Sequence, residues 1–285
     1  MKTALNTSPD AKELFKKCGT CSQAFAHLIN NDFGNTNDIE ELALDPLAGG
    51  IFNEGQQCGM LWGASLAAGK ESYKRFSNTN EAKIATVKAT QQLVKSFEEE
   101  SKTIICRDLT GLKLNTFFGM ARFMIKTMVI GMEKSPCFTM SGDWGPKAIT
   151  AANKGVLESR NPDTDLLCCA SELIKIMGGS DEEAHMVSGF SGGLGLTGFG
   201  CGALSAAIWY KTLQWCREHS GETPPFFKNS HVKKMIKSFK KYTLGELNCT
   251  KISGRKFSSA EEHSKYIQSG GCKDLLEHLV QVETY

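Results

Sequence analysis

Cys58-Gly59-Met60-Leu61-Trp62-Gly63 is answered by Cys201-Gly202-Ala203-Leu204-Ser205-Ala206, and each leading cysteine is followed 48 residues later by another. The later cysteines open Cys106-Arg107-Asp108-Leu109-Thr110-Gly111 and Cys249-Thr250-Lys251-Ile252-Ser253-Gly254, two copies of C-x-x-L/I-T/S-G. A shared interval flanked by shared residues marks an internal duplication with an offset of 143 positions, and its recurring element is sulfur. Gly59, Gly63, Ala64 and Ala67, like Gly202, Ala203, Ala206 and Ala207, give the helix behind each leading cysteine a face with little side chain. Another helix can therefore bring its own sulfur close.

Working outward, helical periodicity dominates and strand alternation bounded by turns is scarce, so the expected fold is all-α, in two pseudo-repeated lobes. The first lobe is expected over residues 1–155 with an extra apolar helix, the second over 156–285. One helix is predicted from about Asp10 to Asn30, and its counterpart runs from Leu166 to Met177, ended by Gly178-Gly179. A fresh start follows at the cap Ser180-Asp181-Glu182-Glu183. The glycine-rich loops Ala48-Gly49-Gly50 and Gly192-Gly193-Leu194-Gly195 feed the helices at Cys58 and Cys201. Long amphipathic helices are predicted at Asn80–Glu100 and Asn229–Tyr242. An apolar helix at about Leu114–Met132 has no counterpart in the second lobe. Pro146 reads as a helix start, and Ala151–Asp165 as the bridge between lobes.

The chain has 285 residues, 41% apolar and 22% charged, with a net charge of +2, which is a globular composition rather than a polycation or a disordered tail. Nothing in that balance demands nucleic acid. The N-terminus carries no secretion-signal run, and the most apolar stretch, Phe117–Met132, is broken by Arg122 and Lys126, so no membrane span is expected. The expected location is the cytoplasm, where reducing pools keep thiols from forming permanent bridges. Eleven cysteines there read as metal ligands, redox thiols or core packing.

Aligning the halves pairs Cys21 with Cys169, Cys58 with Cys201, Cys106 with Cys249, and Cys137 with Cys272, four sulfurs on four elements in each lobe. In this pattern the chain resembles the redox-active proteins named for the motif C_GCAxxG_C_C, in a tandem version covering nearly its whole length. The better copy is Gly200-Cys201-Gly202-Ala203, with Cys169 before it and Cys249 and Cys272 after it. Gly202 intervenes before the alanine, and in the first lobe Met60 replaces alanine and Gln57 the leading glycine. The resemblance implies a largely helical fold with four functional cysteines per repeat. Covalent c-type haem is not expected, because Cys18-Gly19-Thr20-Cys21 is followed by Ser22 rather than histidine.

A cysteine opening a helix meets orphan amides and the positive dipole end, which favour thiolate, the species that attacks disulfides and binds metal. Cys58 and Cys201 are so placed. The expected function is electron transfer through these eight cysteines by thiol/disulfide exchange with a redox partner protein. The alternative is an iron-sulfur or other metal-cluster carrier, with Cys169, Cys201, Cys249 and Cys272 as ligands in the second lobe. A further alternative is a non-catalytic helical binding protein. Structural zinc fits less well, since only Cys18-x-x-Cys21 offers a paired knuckle. Cys216 reads as packing. Gly193-Leu194-Gly195-Leu196-Thr197-Gly198 spells a dinucleotide fingerprint, yet no strand feeds it. The basic segment from Lys228 to Lys241 reads as a solvated face over a core stripe, and the six histidines show no ligand spacing.

Overall fold

The structure is a computed structural model and describes residues 10–162, 164–225 and 229–282. The sequence reading of residues 1–9 and of Lys228 lies outside them. Fifteen α-helices make up the fold among the described residues, with two isolated antiparallel bridges and no longer ladder. The first lobe comprises α1 (Ala11–Cys18), α2 (Cys21–Phe33), α3 (Asp38–Leu42), α4 (Gly59–Arg75), α5 (Thr79–Ser101), α6 (Cys106–Thr110), α7 (Phe117–Ile130) and α8 (Pro136–Leu157). The second comprises α9 (Cys169–Ile176), α10 (Asp181–Met186), α11 (Gly202–Glu218), α12 (Ser230–Tyr242), α13 (Cys249–Ser253), α14 (Ala260–Gln268) and α15 (Lys273–Gln281). The fold is all-α, in two pseudo-repeated lobes.

Local chemistry sets the boundaries. Ser180 and Glu183 form a full capping box at α10, and Asn229 caps α12 by accepting from the Val232 amide. The single helix predicted over Asp10–Asn30 is two, because Gly19 takes φ 82° and accepts the C-cap role of α1 before Thr20 starts α2. Pro146 does not start a helix. Pro136 holds the first helical position behind the cap Ser135, and α8 runs on through Pro146 and Ala151 to Leu157.

The lobes interlock. Helix α3 and the 3-10 turn Asp45–Leu47 pack on α11 of the second lobe, while α10 and the 3-10 turn Ser188–Phe190 pack on α4 of the first. One apolar cluster therefore spans both, from Phe25, Trp62 and Trp144 to Phe190, Trp209 and Phe239, all fully buried. At the join stands Gln57, whose amide donates to the Gly193 carbonyl at 2.8 Å and accepts from the Gly200 amide at 3.0 Å. Gly200 occupies the matching position, and a Cβ on it would sit 2.7 Å from the Gln57 Oε1. The first lobe's departure from a leading glycine is accommodated by the second lobe's retention of one.

Each lobe also contains a run of five consecutive residues in the left-handed region, Gly49–Asn53 and Gly192–Leu196. Both runs repeat the same hydrogen bonds, Ile51 N to Leu47 O and Gly55 N to Gly49 O matching Leu194 N to Phe190 O and Gly198 N to Gly192 O. Left-handed backbone costs a non-glycine residue about 1–2 kcal/mol, so Ile51, Phe52, Leu194 and Leu196 hold this shape against their preference. Burial of Ile51 and Leu194 in the core offsets that cost. The same turn disposes of the dinucleotide reading, since a 3-10 turn rather than a strand precedes Gly192.

Helix α7 is not an extra element: it lies between the Cys106 and Cys137 helices, the place that α14 takes between Cys249 and Cys272, and it differs from α14 in being apolar on its outer face, where Phe117, Phe118, Met128 and Val129 are exposed. No described helix is long and apolar enough to cross a membrane. On α12, Val232, Met235, Ile236 and Phe239 are buried while Lys233, Lys234, Lys237 and Lys241 are exposed, a solvated face over a core stripe.

Candidate functional site

The two bridges of the fold hold cysteines. Gln57 pairs with Ile105, and Gly200 with Asn248. Their hydrogen bonds run from Cys58 N to Ile104 O and Cys106 N to Gln56 O, and again from Cys201 N to Leu247 O and Cys249 N to Phe199 O. The interval of 48 residues is thus the length of chain needed to return from the second cysteine of each lobe to a backbone clasp beside it.

All eight aligned cysteines stand at helix starts. Cys21 and Cys169 are the first residues of α2 and α9, Cys58 and Cys201 the N-caps of α4 and α11, and Cys106 and Cys249 the first residues of α6 and α13. Cys137 follows Pro136 at the start of α8, and Cys272 is the N-cap of α15 in left-handed conformation.

In the first lobe the four converge on one cavity of about 480 Å³, together with Cys18. The Cys58 thiol donates to the Cys21 sulfur, and each of Cys106 and Cys137 lies near enough to Cys58 to disfavour its ionisation. Gly59 makes the approach feasible, since a Cβ there would sit 2.6 Å from the Cys21 Sγ. Gly63 does the same for the helices, because its Cβ would lie 2.0 Å from the Ser22 carbonyl oxygen. In the second lobe Cys169 feels Cys272 and Cys201, and Cys201 feels Cys249 and Cys272. The Tyr266 hydroxyl is hydrogen-bonded to Cys272.

These sulfurs are not equivalent. Cys21 is lowered below the ordinary thiol range: the Cys58 thiol donates to it, and the amides of Gly49, Cys21 and Ser22 add to that against the cost of burial. The left-handed turn therefore supplies an amide, and the Gly192 amide repeats the contact at Cys169. Cys58 is raised well above the range by its hydrogen bond to Cys21, then by burial. Burial raises Cys106 well above it, and Cys137 to about 12. In the second lobe burial pushes Cys169, Cys201, Cys249 and Cys272 up. The expectation that Cys58 and Cys201 are the thiolates is thus displaced to Cys21. Two touching sulfurs cannot share a negative charge cheaply, and Cys21 has the amides.

Cys18 closes α1 on the far side of Gly19 and is raised to about 11, chiefly by burial, so the Cys-x-x-Cys pair is divided between two helices. Cys216 lies inside α11 within the core, as packing, and burial raises it to about 11.

Sequence reasoning missed Asp45. It is buried, lines the same cavity and accepts from the Thr20 hydroxyl at 2.6 Å, and burial lifts its carboxyl to about 7. The position 143 residues on is Ser188, so no comparison of the copies pointed to it. The His27 Nδ1 lies 2.7 Å from the Glu41 Oε2. With Asp38 these two form the one group of three His, Cys, Asp or Glu ligand atoms within 4.8 Å of one another among the described residues. Glu41 is also taken up by Asn30 and the Asn37 amide, which fastens α3 to α2.

The family model described as "Putative redox-active protein (C_GCAxxG_C_C)" matches residues 19–144 and 166–283, one copy in each lobe. No curated protein and no solved structure matches the chain.

Proposed function

The chain belongs to the C_GCAxxG_C_C family of redox-active proteins, and we propose that it carries electrons by thiol/disulfide exchange, with Cys21 attacking and Cys58 resolving. The observation that carries this is the contact in which Cys58 donates its proton toward a Cys21 sulfur already held by three amides. Thiolate is the reactive species, and a neighbouring protonated thiol both stabilises it and stands ready to displace whatever it binds. Oxidation joins the two sulfurs, removing two electrons and the Cys58 proton. Cys106 and Cys137, neutral and adjacent, keep the cavity free of further charge.

In the second lobe, four sulfurs interact without a favoured pair, and a four-cysteine ligand set for an iron-sulfur cluster is the second reading there. Cys169, Cys201, Cys249 and Cys272 would hold it, with the Gly192 amide and the Tyr266 hydroxyl as hydrogen-bond donors to its sulfur shell. Such a group would supply one-electron transfer. A single tetrahedral metal is a poorer match: it needs thiolates about 3.8 Å apart, and no three of the described cysteine sulfurs lie within 4.8 Å of one another.

The test is oxidation of anaerobically purified, reduced full-length protein with one equivalent of a thiol oxidant, followed by peptide mapping. A Cys21–Cys58 cross-link that disappears in Cys21→Ser supports exchange. Stoichiometric iron and sulfide that depart with Cys21→Ser would replace exchange by a cluster in the first lobe.

A further inference from the structure

The first-lobe cavity is not a bare thiol pocket. Helix α7 covers it with Met120, Phe123 and Met124, and Phe15 and Leu114 extend the apolar wall. Among the residues lining it there is no lysine, arginine or histidine, and the one ionisable group besides the thiols is the acid Asp45. A carboxylate entering such a space would lose its hydration with no cation to receive it and with an acid opposite. A neutral, apolar molecule loses little, and about 480 Å³ is room for a small organic compound.

Resting on the exchange reading above, we infer that the substrate of the Cys21–Cys58 pair is a small, uncharged, apolar organic disulfide, bound beneath α7, rather than a charged disulfide such as oxidised glutathione. The Cys21 thiolate attacks one sulfur of the substrate, forming a mixed disulfide and expelling the other sulfur as thiolate. The Cys58 thiol then gives its proton to that thiolate and attacks Cys21, closing the Cys21–Cys58 disulfide and releasing the remaining substrate sulfur. Two protein thiols are oxidised, and one substrate disulfide is reduced to two thiol groups, one of them still anionic until it takes a proton from water.

The probes are lipoamide, lipoate and oxidised glutathione. Each is mixed anaerobically with the reduced full-length protein, and its rate of forming the Cys21–Cys58 disulfide is divided by its rate with free dithiothreitol. The expected result is a normalised preference for lipoamide over oxidised glutathione of at least about tenfold, since an uncompensated buried charge costs more than the 1.4 kcal/mol that tenfold represents. Met124→Lys, which places a cation in the lid, is expected to draw the lipoamide-to-lipoate ratio below its wild-type value. Thr127→Lys, which places the cation at another lining position of α7, serves if that variant does not fold. Equal normalised rates for the three probes, or a ratio that ignores the lid charge, overturn the substrate inference while leaving exchange intact. Failure of every probe to oxidise the pair overturns both.

Discussion

Cys21 and Cys58 stand one position apart in helix register, the first residue of α2 against the N-cap of α4, and their environments divide the labour between them. Cys21 receives amides from its own helix and from the left-handed turn at Gly49, whereas Cys58 gives its only proton to Cys21. The nucleophile is thus made by donors rather than by a basic residue. Removing one donor should be visible. In Cys58→Ala the Cys21 thiolate loses a charge-assisted hydrogen bond, and its alkylation by iodoacetamide is expected to need a pH higher by about one unit, since a weak thiol donor contributes roughly 1.4 kcal/mol. Cys58→Ser retains a hydroxyl donor and is expected to stay near the wild-type profile. An unmoved profile in the alanine variant, followed by mass spectrometry of the Cys21 peptide, would show that the amides alone set the reactivity.

At the scale of elements, the small residues of the motif act by letting backbone and sulfur come close. Gly63 lets α4 lie against α2, and Gly202 lets α11 approach the Phe190 carbonyl oxygen, where a Cβ would sit 1.9 Å away. Gly63→Ala must push two backbones apart and is expected to cost about 1–3 kcal/mol by urea denaturation. Gly59→Ala is different in kind, because its Cβ would meet the Cys21 sulfur. It is expected to slow Cys21 alkylation at neutral pH more than tenfold while lowering Tm modestly, and a variant that lost stability alone would assign Gly59 to packing. These close approaches were legible in the sequence as a stripe of small residues repeated at 143 positions. The left-handed turns were not. Ile51, Phe52, Leu194 and Leu196 are poor left-handed formers, and only tertiary burial holds them there. Pro146 misled for a related reason: a proline marks a helix start only when no better one precedes it, and Ser135-Pro136 does.

For the whole molecule, the duplication foretold two similar lobes but not their exchange of α3 and α10, nor the single core that results, because neither leaves a periodic trace in sequence. Asp45 was hidden in the same way, its role set by a partner on another helix and by burial. That burial gives the folded chain a bounded pH range. Burial depresses His185 and His263 to about 4, so they remain neutral in the core. Below their ordinary value of 6.5 the unfolded chain takes protons that the folded chain refuses, and stability falls as pH drops, by about 1.4 kcal/mol per unit for each. Cys106 and Cys137 act at the other end. Their folded values are raised, so above about 9 the unfolded chain releases protons that the folded chain keeps, and stability falls as pH rises. Asp45 tilts the middle, since between 3.8 and about 7 only the unfolded chain ionises it, and its contribution declines with rising pH and is flat above 7. Burial also lowers His231 and raises Glu40; with three histidines against two acids, urea denaturation is expected to give stability that climbs from pH 4 to about 6.5 and holds to about 9 before it falls. Asp45→Asn, which keeps an acceptor for Thr20, is expected to raise stability at pH 8 and to leave it nearly unchanged at pH 4, where the wild-type carboxyl is already protonated when folded. A gain of equal size at both pH values would mean that Asp45 is not held as a buried acid.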